Sequence, residues 1–143
     1  TTSPSLINSL SPGSKEEISV IKDEQVWPAE VFKKDLKSGL LLLKVQQTNL
    51  SVVSLADIGD LRLGSRVVLM GAIASSTSTK FVNTGIIRSL SENDFSITIK
   101  QELPQASGAP LINIKGEVIG AAQIEQGNVK IEPTTEIKKF LSF

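Results

Sequence analysis

The chain is most informative at Pro104-Gln105-Ala106-Ser107-Gly108-Ala109-Pro110-Leu111-Ile112-Asn113, followed after two residues by Gly116-Glu117-Val118-Ile119-Gly120. Two short apolar runs, Pro110 to Ile114 and Val118 to Gln123, flank the turn Lys115-Gly116-Glu117. Strand-forming residues around a glycine-bearing turn predict a β-hairpin. Just ahead of it, Ser107 lies in a run of Gly, Ala and Pro that predicts a tight turn.

The same grammar extends along the chain. Ile18 to Ile21, Val26 to Phe32, Ser51 to Leu55, Arg66 to Met70 and Val129 to Ile131 read as short strands. Thr84 to Ser89 and Phe95 to Lys100 read as a pair joined by the polar turn Ser91-Glu92-Asn93-Asp94. Pro28 predicts an edge or a bulge in its strand. Leu40 to Val45 is continuously apolar up to Lys44 and predicts a strand buried on both faces. About ten strands spaced roughly 8–12 residues apart predict an all-β barrel or sandwich. Near the end, Ile137, Phe140 and Leu141 fall at i, i+3 and i+4, the stripe of one short helix. Thr134 or Thr135 is its expected cap.

Composition removes whole classes of chemistry. The chain has 143 residues and no His or Cys. It therefore has no imidazole base, thiol nucleophile, disulfide or zinc–cysteine site. Fifteen Lys and Arg balance fifteen Asp and Glu, so the net charge is zero. With 4% aromatic residues and no dense basic cluster, no nucleic acid partner is expected. No metal or cofactor is expected either: Asp57, Asp60, Glu92 and Asp94 stand in turns whose spacing matches no Ca²⁺ loop. No apolar run approaches the roughly 20 residues of a membrane span, so this segment is not expected to insert in a bilayer. The chain begins at Thr1 without Met and without a three-part signal peptide, which reads as a processed or excised piece.

The quoted stretch resembles the nucleophile region of trypsin-like serine proteases of the HtrA (DegP) type, P-G-N-S-G-G-P-L-x-N-x-x-G-x-V-I-G. Pro104, Ser107, Gly108, Pro110, Leu111, Asn113, Gly116, Val118, Ile119 and Gly120 match. Leu61 to Gly71 resembles the family's L-x-x-G-x-x-V-x-x-x-G, and Val82 to Ile87 its V-T-x-G-I-V. Gly39 to Val45 is similar to D-L-A-L-L-K-V, and Leu6 to Leu10 to L-T-N-x-H-V. The resemblance implies a trypsin-like double β-barrel with a short C-terminal helix. Two strands that usually precede the Leu6 to Leu10 segment are missing here, so the first barrel is expected to be incomplete. Residues 1–56 would be the remnant of the N-terminal barrel, and 57–143 the C-terminal barrel with its helix.

The departures fall on the machinery itself. The family's His position is Leu10, its Asp position is Gly39, and its oxyanion-hole glycine is Gln105. Only Ser107 of the triad remains. A serine hydroxyl is a poor nucleophile without a base. Losing a triad member costs about 10⁴–10⁶-fold in turnover, and a displaced oxyanion hole roughly another 10²–10³-fold. The expected function is that of a pseudoprotease: an inactive scaffold or protein/peptide-binding module. The competing expectation is a hydrolase in which Ser107 uses a non-His base such as Lys100 or Lys80. An extended peptide in the old cleft would meet Ser75, Lys80, Gln105, Ala106, Ser107 and Gln123 by strand addition. The resemblance also implies an extracytoplasmic setting and allows an oligomer.

Overall fold

A computed structural model describes residues 18–22, 24–73, 79–100 and 106–142. The chain divides between Val52 and Val53 into two compact units.

The first unit carries a three-stranded antiparallel sheet, β1 (Ile18–Lys22), β2 (Gln25–Asp35) and β3 (Leu40–Val45), in that order. Pro28 lies in the middle strand, yet its position is locally an edge. It pairs with Ser19 of β1, while pairing with β3 begins only at Ala29. A proline has no N–H to give a ladder, so it fits where one neighbour is absent. The bulge lies further on, between Val31 and Lys33. Leu40 to Leu43 are half-buried rather than buried on both faces. The reason is positional: among the described residues β3 ends the order of its sheet, with β2 as its one paired neighbour.

The second unit holds six antiparallel strands. They are β4 (Arg66–Ile73), β5 (Thr79–Leu90), β6 (Phe95–Ile97), β7 (Pro110–Asn113), β8 (Val118–Glu125) and β9 (Asn128–Pro133). Their order is β6-β5-β4-β7-β8-β9, and β6 packs against β9. A bridge between Lys100 and Asn128 draws the two ends of the sheet into a nearly closed barrel. Closure removes the unpaired edges that an open sheet presents.

Alternation fills the barrel. Val67 and Leu69 of β4 are buried, whereas Arg66 and Met70 face out. Ile87, Ile97, Leu111, Ile119 and Ile131 complete the centre of the core. Ile119 is the extra residue of a bulge: Leu111 pairs with Gly120 and Ile112 with Val118.

The division point lies four residues before the expected 56/57 boundary. The intervening residues are tied to the barrel. Ala56 N donates to Val118 O at 2.9 Å, Val118 N donates to Ser54 O at 2.9 Å, and Leu55 bridges Val118 in parallel.

The helix α1 (Thr134–Leu141) follows β9 directly, with Pro133 at its N-cap and no side-chain cap. The expected threonine cap does not form. Thr134 Oγ1 instead donates to Ala56 O at 2.9 Å, because burial makes that carbonyl the more urgent partner. Of the apolar stripe, Phe140 is buried, Ile137 half-buried and Leu141 exposed. Among the described residues, no helix is long and apolar enough to cross a membrane.

Candidate functional site

The loop that carries Ser107 is stitched to β8, and the stitching explains what its hydroxyl does. β7 begins at Pro110, opposite Ala121. Beyond that point β8 runs on without a strand partner on this side, yet its buried amides still need acceptors. The loop supplies them one by one. Ala122 N donates to Ala109 O at 2.9 Å, and Gly108 N donates to Ala122 O at 2.7 Å. Ala109 N closes the turn on Ala106 O at 3.0 Å. The next free amide, Ile124 N, donates to Ser107 Oγ at 3.0 Å. A serine side chain therefore takes the place of a strand carbonyl. The hydroxyl proton faces Ile124 O at 3.5 Å, a long and weak contact.

Ser107 is 2% exposed, and Ala106 is wholly buried. A nucleophile needs an open face and a base within hydrogen-bond reach. Both hydrogen bonds of Ser107 run to the Ile124 backbone instead. Neither Lys80 nor Lys100 is among its partners. Lys80 is exposed on β5 opposite Ala72, and Lys100 is exposed at the barrel seam opposite Asn128.

The other site positions scatter. Gln123, half-buried on β8, lies beside the Ser107 loop. It lines a shallow groove of about 500 Å³ with Glu125, Gln126, Asn128 and Lys130. Lys80 stands on β5, three strand positions away in the sheet order. Leu10, Ser75 and Gln105 lie outside the described residues.

Gly39 occupies the turn between β2 and β3 with φ of +68°. This left-handed backbone suits glycine and is costly for most side chains. The nearest carboxylate in sequence, Asp35, is committed to the same turn. Its oxygens accept from Lys37 N at 3.0 Å, Ser38 N at 3.3 Å and Ser38 Oγ at 2.6 Å. The Ser38 hydroxyl, then the Lys37 amide, hold the Asp35 carboxyl below its ordinary pKa.

Two contacts had no signal in the sequence: Ile124 as the partner of Ser107, and Thr134 as the partner of Ala56. They link residues 17 and 78 positions apart. They follow from barrel closure and not from any local pattern.

Residues 5–120 match the family model of the trypsin-like peptidase domain. A probable periplasmic serine endoprotease, DegP-like, from Hahella chejuensis is 32% identical over 120 residues. The match covers 79% of this chain and 25% of that protein. The mitochondrial serine protease HTRA2 of Drosophila grimshawi is 30% identical over 139 residues, covering 85% of this chain and 31% of its own length. A DegP-like protein of Chlamydia pneumoniae is 32% identical over 108 residues, covering 70% and 22%. The chain thus spans about a quarter to a third of the curated relatives it matches. With the barrel order and this kinship together, the chain belongs to the trypsin-like peptidase domain family and is similar to its HtrA-type members.

Proposed function

We propose that this is a catalytically inactive HtrA-type domain that serves as a scaffold or as a protein- or peptide-binding module. The observation that carries the reading is the engagement of Ser107: its oxygen accepts the Ile124 amide, and its side chain is buried. The composition supports it independently, since no histidine exists anywhere in the chain to take the serine proton. Gly39 brings no carboxylate to orient a base, and Asp35 is spent on its own turn.

The binding role rests on the retained barrel. With Ala106 and Ser107 buried, an extended peptide in the old cleft would meet Gln123 and the groove of the β8–β9 hairpin. An extracytoplasmic setting belongs to the same proposal. DegP-like relatives are named as periplasmic, and HTRA2 relatives as mitochondrial.

The test is active-site labelling. The purified chain is incubated with a fluorophosphonate probe and, separately, with casein. We expect neither labelling at Ser107 nor cleavage. Stoichiometric modification of Ser107, or cleavage abolished by Ser107→Ala, would refute the reading and favour a hydrolase with a non-His base.

A further inference from the structure

The outward face of β4 and β5 is an apolar ladder set among unpaired cations. The strands pair Arg66 with Ile86, Val68 with Thr84, Met70 with Val82 and Ala72 with Lys80. All eight lie on the side away from the core residues Val67, Leu69 and Ile87. Val82 is 68% exposed, Ile86 44% and Met70 38%. Ile112 of β7 continues the apolar row beside Val68. Lys80 stands near one end of the ladder, and Arg66 and Arg88 near the other.

The charge pattern is one-sided. The chain is neutral overall, yet β4, β5, β6 and β7 contain no Asp or Glu at all. Among the described residues, the ion pairs are Lys138–Asp57 and Lys139–Glu136, so Arg66, Lys80 and Arg88 have none. Exposed apolar side chains in a cluster mark interaction sites more often than singly scattered ones do. Unpaired cations on the same face say what the partner carries.

Size narrows the partner further. Lys80 to Arg88 spans about 26 Å at strand rise, and three strands are about 10 Å wide. A footprint of roughly 260 Å² is well below the ~800 Å² per partner of a stable globular interface. It fits one linear segment. The face carries no Trp or Tyr, the usual anchors of a membrane interface. We propose that this face docks an acidic, apolar-centred linear segment of a partner protein, with carboxylates at both ends meeting Lys80 and the Arg66–Arg88 pair. The site is separate from Ser107, so its failure and that of the inactive reading are distinguishable.

The test uses the full chain and a fluorescent peptide of about eight residues, four apolar ones flanked by Asp and Glu, read by anisotropy. Control peptides replace the acids by Gln or by Lys. Binding should favour the acidic peptide and weaken as salt rises. Arg66→Glu with Arg88→Glu, and separately Val82→Ser, should each weaken it at least tenfold. Lys22→Glu with Lys44→Glu, an equal charge change on the exposed side chains of the first unit's sheet, should not. These side chains are exposed, and a urea midpoint for each variant verifies folding. Equal binding of the Gln or Lys peptides would overturn the proposal, as would unchanged binding by the folded double variant. So would exclusive binding to vesicles containing phosphatidylserine, which would assign the face to an anionic membrane.

Discussion

Replacing Ser107 by alanine separates a structural serine from a catalytic one. The substitution deletes a hydroxyl that is 2% exposed and accepts the Ile124 amide at 3.0 Å. No water can replace it without reaching into the barrel wall, so the amide is left without an acceptor. A buried donor stranded in this way costs about 1–3 kcal/mol. The 3.5 Å contact to Ile124 O adds little, because its geometry is already weak. With a urea slope of about 2 kcal/mol/M, the midpoint should fall by roughly 0.5–1.5 M. A second readout is local. Hydrogen exchange at the Ile124 amide should be slow in the parent and markedly faster in the variant. A serine held for chemistry behaves oppositely, since active sites are often strained and their removal is neutral or stabilising. A Ser107→Ala protein within about 0.5 kcal/mol of the parent would refute the structural role. So would unchanged Ile124 exchange.

Further perturbations test other parts of the same argument. Gly120→Ala would place a Cβ 2.4 Å from Ile131 Cγ2 and 2.7 Å from Glu132 O, so overpacking should cost about 1–3 kcal/mol in urea unfolding. Thr134→Val keeps the shape but removes the donor to Ala56 O, and should cost about 0.5–1.5 kcal/mol by the same assay. Asp35 gives a pH signature. Its carboxyl is held low by Ser38 and Lys37, so its contribution is present above about pH 4 and is lost as pH falls through the lowered folded value. Asp35→Asn should therefore lower the urea midpoint at pH 6 and narrow the gap to the parent at pH 3.

Local patterns carried much of the fold. The β7–β8 hairpin around Lys115 to Glu117 was legible because its determinants lie within a few residues. The pair β5 and β6 was legible for the same reason, from the turn at Ser91 to Asp94, where Ser91 N donates to Asp94 O at 2.8 Å. Where neighbours decide, the patterns misled. Leu40 to Leu43 is as apolar as a central strand, but among the described residues it ends its sheet and stays half-buried. Thr134 has the composition of a cap, but a carbonyl 78 residues away claims its hydroxyl. The Ser107 loop was recognisable as a motif, whereas the direction of its hydroxyl was not.

What the sequence determined alone is what it excludes and what it repeats. Without histidine no imidazole relay can exist in any fold, and strand-sized apolar runs between turn residues demand paired strands to satisfy their backbone. What only the tertiary structure decided is how leftover polar groups are spent. Whether Ser107 meets solvent or an amide depends on where β7 stops beside β8. Whether cations on β4 and β5 find carboxylates depends on which strands become neighbours. Both are outcomes of barrel closure, which brings together residues that no local window contains.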